Sequence, residues 1–342
     1  MKNGIRVLQI AFTYIGTIVG AGFATGQEIL QFFTQYGKWA TLTILLSTAL
    51  FIWLGTKIMI ISRRISARSY EDFNKHLFGD RAGGVISIVM MFVLICVNSV
   101  MLAGAGSVFV EHLNLHYQTG LIITLVGSYI LLNRGMNAIV QMNSIVVPLM
   151  LTLSLAIIFN TIRMPGADSF LRITTDHHFT AVWTSPLLYT AFNLVMAQAV
   201  LVPLGGKTDS HTVIKWGGIL GGVGVGFMLL AAHVAMSAHM PGIRQYEIPM
   251  GSIASNLGTV IQLIYVMLIF LEIFSTFVAD IYGVTLQLQQ HIPLPPKLLI
   301  ACVMFICFLL SQIGFSSLLS VLYPIIGALC LILVLKLMFK SK

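Results

Sequence analysis

The sequence predicts an all-α integral membrane protein of ten transmembrane helices, arranged as two five-helix halves of opposite sense. Three observations predict it. Apolar residues make up 57% of the 342 residues and charged ones only 9%, where a soluble domain carries about 25% charged residues; mean hydropathy is +0.93. Lys and Arg fall on one side of the spans that the hydropathy marks. Finally, a set of short motifs recurs in the same order in the two halves of the chain.

Runs bounded by charge, Pro or Gly place the spans at approximately 5–34, 38–62, 84–110, 117–133, 137–160, 181–204, 212–238, 259–288, 297–313 and 316–339. The runs are long and lack period-two alternation, which excludes an outer-membrane barrel. No connection is long enough for a soluble domain, so residues 1–342 read as one transmembrane domain with halves of about 1–160 and 181–340. With the N-terminus inside, 15 of the 19 Lys and Arg are cytoplasmic, and only Lys38, Arg163, Arg172 and Arg244 are outside. Missing one span would dissolve this bias, because every later loop would change sides. Both termini are therefore expected in the cytoplasm, in a multi-pass protein of the cell membrane. The net charge of +8 is a topology signal, and nucleic acid is not an expected partner; the lipid bilayer and a small-molecule substrate are. Nothing in the sequence sets the oligomeric state.

Lys2 and Arg6 ahead of an apolar run imitate a signal peptide, but the run continues to about Phe33, so cleavage is not expected. Cys96, Cys302, Cys307 and Cys330 all lie in apolar runs and read as buried and unpaired. His177-His178 lies in a polar loop and reads as solvated. No metal-ligand spacing and no nucleotide-binding motif occurs, so no organic cofactor and no enzyme activity is expected.

The repeat is read from motif order. Tyr70-Glu71-Asp72-Phe73 and then Gly79 precede span three; Tyr246-Glu247-Ile248-Pro249 and then Gly258 precede span eight. Asn98-Ser99 and Ser275-Thr276 stand 177 residues apart, as do Gly106 and Gly283. Gly135 with Pro148 in span five is echoed by Gly314 with Pro324 in span ten. Five spans is an odd number, so the second half must cross in the opposite sense. Such inverted repeats hold substrate and ions at the midplane, where the first helix of each half is broken.

Span one carries the break in plain view, in Gly16-Thr17-Ile18-Val19-Gly20-Ala21-Gly22-Phe23-Ala24-Thr25-Gly26-Gln27-Glu28. Glycine costs a helix about 1 kcal/mol relative to alanine, and broken backbone at membrane depth is tolerated mainly where it lines a cavity. Carbonyls ending the first half-helix, at Gly16 and Val19, suit a small cation; amides opening the second suit an anionic group. The bland alternative is close helix packing through Gly16 and Gly20 at small-xxx-small spacing. By symmetry span six breaks within Pro186–Ala197, where Asn193 sits mid-span with Gln198 and Pro203 following, although it lacks a glycine cluster.

Span eight adds Glu272, Ser275 and Thr276 on one helical face. The hydroxyls would complete an oxygen shell with the span-one carbonyls, although Ser and Thr in helices often bond back to their own backbone. A carboxylate in hydrocarbon faces a cavity or a partner; Glu272 adds charge to the cation site or cycles a proton. Glu28 either lines and gates the outer vestibule or receives a substrate amine. Asp280 could pair with Arg6 as an inner gate. Tyr14, Phe23, Tyr189 and Phe192 could cap the cavity, against the plain alternative of packing.

At these residues the chain resembles the amino acid–polyamine–organocation superfamily, whose members share the LeuT-type five-plus-five fold with broken helices 1 and 6. Within it, the sequence is similar to the YkvI-like bacterial membrane proteins, regarded as amino acid permeases. Gly16 to Gly22 resembles the G-x-x-V-G-x-G stretch of sodium-coupled amino acid symporters. The resemblance implies a Na⁺ site at Gly16, Val19, Ser275 and Thr276, and a substrate site at Ala21, Gly22 and the backbone around Thr190–Asn193. It also implies that a second Na⁺ site is missing, because Phe23 stands where the family has Asn. The resulting expectation is a secondary transporter of a small amino acid or related carboxylate, driven by Na⁺ or, second, by H⁺. The rival reading is a channel or a transporter-derived membrane sensor.

Overall fold

The computed structural model describes residues 2–132, 134–246, 248–313, 326, 330–331 and 334–338. Span one is α1 (Lys2–Ile18), α2 (Ala21–Thr25) and α3 (Gln27–Phe32). Next come α4 (Trp39–Leu50) and α5 (Thr56–Arg64), joined by a π turn over Phe51–Gly55 into one span, then the short α6 (Tyr70–Phe78). The rest of the first half is α7 (Asp80–Leu113), α8 (Tyr117–Leu132) and α9 (Met136–Ile162). After the short α10 (Ser169–Arg172) follow α11 (Phe179–Gly206), α12 (His211–Ala238), the short α13 (Pro249–Ser255), α14 (Thr259–His291) and α15 (Pro296–Ser311).

Among the described residues six helices are long and apolar enough to cross a membrane, and α8 and α15 are shorter apolar helices. The interrupted span one adds a further segment. Most of the expected tenth span, 316–339, lies outside the described residues, as do Gly314 and Pro324. Of the four cysteines, all free, Cys307 and Cys330 are buried, but Cys96 is half-buried and Cys302 is exposed. Cys302 stands on the same apolar outer surface as Phe305 and Leu309, which suits lipid contact.

Burial ranks the helices. Large apolar side chains of α8, α9 and α15, among them Ile130, Ile145 and Phe305, point outward, as a lipid-facing surface requires. In contrast, 89% of the apolar window of α11 is buried, so α11 is the central post. It packs on α5, α4, α14 and α1. Its continuity corrects the expectation of a broken span six: α11 runs unbroken for 28 residues. Residues 189–198 contain no glycine or proline, and the Asn193 side chain donates to the Tyr189 carbonyl one turn back at 3.0 Å. Symmetry alone cannot break a helix whose local sequence favours it.

The repeat is visible in a different place. In each half a short helix, α6 or α13, leads through a glycine into a helix of 34 or 33 residues, α7 or α14. Gly79 has φ 84°, ψ 166° and Gly258 φ 105°, ψ 156°, a region that only glycine enters cheaply. A Cβ at either position would meet no atom within 4 Å. Gly79→Ala and Gly258→Ala therefore test backbone conformation without a clash. Each is expected to lower stability by about 1–3 kcal/mol, read as a fall in the melting temperature of detergent-purified protein.

At the basic end of the bundle α6 is tied to the end of α14. Ser69 and Asp72 form a capping box that starts α6. Glu71, its side chain 3% exposed, holds Lys75 at 2.6 Å and His291 of α14 at 2.6 Å. Gln290 donates to Asp72 beside them. Burial alone would raise the Glu71 carboxyl, but hydrogen bonds and charge from Lys75 and His291 outweigh it and hold the group below its ordinary value. The folded state thus binds this proton more weakly than the unfolded chain. Its stabilisation is present above the unfolded glutamate value of about 4.3 and is lost as pH falls through the lower folded value. Glu71→Gln is expected to melt below the wild type at neutral pH, with the gap closing under more acidic conditions; a constant gap across a pH series of melts would contradict this.

Candidate functional site at the break in span one

The break sits where the glycines predict it. α1 ends at Ile18, and Gly20 is extended at φ −102°, ψ −167°. The Gly20 amide, which in a continuous helix would bond the Gly16 carbonyl, bonds Ile18 instead at 3.1 Å. The helix resumes when the Ala24 amide reaches the Gly20 carbonyl at 2.9 Å. The Gly16 and Val19 carbonyls therefore lose their helical partners. The Thr276 hydroxyl of α14 takes their place, donating to Val19 at 3.1 Å and to Gly16 at 3.5 Å. Adjacent Ser275 turns away, its hydroxyl donating to the Glu272 carbonyl of its own helix at 3.0 Å. Of the expected oxygen set, Gly16, Val19 and Thr276 are together and Ser275 is not joined to them.

A second kink follows at Gly26, φ 89°, between α2 and α3. Beyond it the chain folds back, so that a Cβ on Gly22 would sit 2.6 Å from Cγ and Cδ of Glu28. Glu28 is buried, 4% exposed. It lies over the first turn of α2. The far end of this segment is held by Tyr265, whose hydroxyl donates to the Ala24 carbonyl at 3.0 Å, and by Gln27, which donates to the Tyr246 carbonyl at 2.7 Å. Met250 of α13 and Met236 of α12 pack on Gly26.

Phe23, Tyr189, Thr190, Phe192 and Asn193 are all buried. Tyr189 stacks edge-on with Phe33 and Phe51, with ring centroids 4.9 and 6.2 Å away, so its ring is a packing element between α11 and spans one and two. Tyr14 donates to the Phe51 carbonyl at 2.8 Å and anchors α1 to the π turn. The Thr190 hydroxyl is buried with no hydrogen-bond partner among the described residues. So are both carboxylate oxygens of Glu272, a side chain with no exposure. Glu272 lies within electrostatic reach of Tyr265, and Asp280 within reach of Tyr70 and Cys307. Asp280 makes no ion pair with Arg6 among the described residues; Arg6 is exposed.

Sequence reasoning missed one polar residue. Asn143 of α9 is fully buried, rests on Gly16, and has neither amide atom partnered among the described residues. Its place in the polar stretch Gln141-Met142-Asn143-Ser144 of a membrane span was the available signal, but its facing is set by helix rotation. Among the described residues no group of three His, Cys, Asp or Glu could hold a metal ion.

No protein-family model matches the chain. Among solved structures it is similar to MhsT in complex with L-phenylalanine, at a TM-score of 0.70 and 16% identity, covering 94% of this chain and 87% of that one. It is similar to a substrate-bound Na⁺-coupled sialic acid symporter at TM-score 0.69 and 12% identity, covering 95% and 76%. Mhp1, a nucleobase-cation-symport-1 family transporter, matches at TM-score 0.59 and 13% identity, over 95% and 77%. These likenesses show a shared fold, the all-helical LeuT-type architecture. In sequence the chain is 26% identical over 326 residues to the uncharacterised protein YyaD of Bacillus subtilis (strain 168), covering 93% of this chain and 92% of that one. It is 40% identical over 326 residues to the uncharacterised membrane protein YkvI of the same organism, covering 93% of this chain and 91% of that one. The chain belongs to the YkvI family of membrane proteins, built on the LeuT-type fold.

Proposed function

We propose that the protein is an ion-coupled secondary transporter of a small amino acid, working by alternating access around the break in span one. It spans the cell membrane ten times with both termini in the cytoplasm. The observation that carries the reading is the Thr276 hydroxyl held at the Gly16 and Val19 carbonyls. A hydroxyl has both a proton and lone pairs, so Thr276 either donates to these carbonyls or joins them around a small hard cation. Na⁺ is the coupling ion this oxygen set favours. A Na⁺-coupled sialic acid symporter and an L-phenylalanine complex among the structural neighbours support the same class.

For the substrate, a carboxylate already lies over α2 in the form of Glu28. Of the two charged ends of an amino acid, the break is therefore equipped to meet the ammonium. Phe23 and Phe192 supply apolar surface, and Thr190 a hydroxyl with no hydrogen-bond partner among the described residues. A second reading, H⁺ coupling, is favoured by Glu272, whose buried carboxylate oxygens have no partner among the described residues. Cycling a proton on this carboxyl would do the work of an ion.

Counterflow of labelled amino acids in proteoliposomes tests the reading. Exchange that needs Na⁺ on the loaded side is expected, and an amino acid is expected to compete at least tenfold better than its deaminated acid. Ion flux without counterflow would make the protein a channel; no ligand-dependent response of any kind would favour a sensor. Thr276→Ala is expected to raise the half-saturating Na⁺ concentration at least tenfold, and Ser275→Ala to raise it less. Glu272→Gln is expected to keep Na⁺-driven exchange; if it instead abolishes a pH-gradient-driven exchange, H⁺ is the coupling ion.

A further inference from the structure

We infer that Asn143 of α9 is a further oxygen ligand of the cation site, so that the ion is held by three helices. The inference rests on the proposed cation site at Gly16, Val19 and Thr276. Three observations carry it. Asn143 is 0% exposed, and both Oδ1 and Nδ2 lack any hydrogen-bond partner among the described residues. Buried amides are almost always paired, and an unpaired one is costly. A leucine of similar size would fill the same space at no such cost.

The amide is also aimed. A Cβ on Gly16 would stand 2.6 Å from Asn143 Cγ, 2.7 Å from Oδ1 and 2.9 Å from Nδ2. The whole amide thus occupies the side-chain space of Gly16, and any larger residue at 16 would push it off α1. Thr276 reaches the same residue from α14. Gly16 is therefore approached by one polar side chain from α9 and one from α14, and those two helices also pack on each other.

The chemistry of the group fits the site. A carboxamide presents a neutral carbonyl oxygen, the same ligand type as the Gly16 and Val19 carbonyls, and suits a hard monovalent ion. Its oxygen adds no formal charge, so Asn143 would raise affinity and select by geometry. Because α9 belongs to neither α1 nor α14, ligation by Asn143 makes ion occupancy report on the placement of three elements at once.

The test uses the full-length protein in detergent, with thermal unfolding titrated by NaCl against choline chloride at constant ionic strength. The wild type is expected to show a saturable, Na⁺-specific rise in melting temperature. Asn143→Leu is expected to weaken the apparent Na⁺ affinity at least tenfold while melting without Na⁺ no lower than the wild type; Asn143→Asp restores the Na⁺ response. Asn143→Ala gives the same comparison should the leucine variant fail to fold. If Asn143→Leu and Asn143→Ala keep a Na⁺ affinity within twofold of wild type while Thr276→Ala loses it, the inference falls and the cation site stands. If the wild type does not respond to Na⁺, or Thr276→Ala changes nothing, the cation site falls and the inference with it.

Discussion

A peptide carbonyl without a partner is tolerable in water and expensive in hydrocarbon, and the chain creates such carbonyls at Gly16 and Val19 near the middle of its first span. Everything central in the fold is arranged around their satisfaction. The break fixes where α14 must lie, because its Thr276 hydroxyl covers both oxygens. It fixes the rotation of α1, whose Tyr14 is held by the π turn of span two. It also makes glycine necessary at 16, where Asn143 of α9 occupies the space of a side chain. The same carbonyls that burden the fold are what a cation would use.

The two halves of the chain answer their symmetry unequally. Entry into the long helices α7 and α14 is built alike, a short helix and then a positive-φ glycine. The first helices of the halves are not alike: span one is interrupted at Gly20 and again at Gly26, while α11 is continuous. A broken helix needs partners for its freed groups, and at span one Thr276 of α14 supplies one. Leaving α11 whole gives the bundle a rigid post, deeply buried, against which the interrupted segment is positioned.

The two ends of the bundle are closed by different means. Around α2 and α3 the seal is made of short helices and side-chain hydrogen bonds to backbone, through Tyr265 and Gln27, with methionines of α12 and α13 packed on Gly26. At the basic end α6 and α14 are joined by charge, through Glu71, Lys75 and His291. Methionine packing yields easily to a moving neighbour, and a partly exposed ion pair contributes modestly. Neither closure is a deep apolar lock.

Some of this was legible in the residues alone. Membrane character and the break in span one follow from local costs: charge excluded from hydrocarbon, and glycines where a helix cannot continue. The repeat was legible because Gly79 and Gly258 meet a backbone demand that the sequence displays. Tertiary structure decided the rest. Ser275 and Thr276 are neighbours, so they point about 100° apart on a helix of 3.6 residues per turn, and only the rotation of α14 chose Thr276. The direction of Glu28 depends on the kink at Gly26, and the role of Asn143 on which face α9 turns to α1. Span six stayed whole because its own residues favour helix, and symmetry supplies no force against that. Local sequence sets what each segment costs, whereas the facing of helices is a property of how they pack.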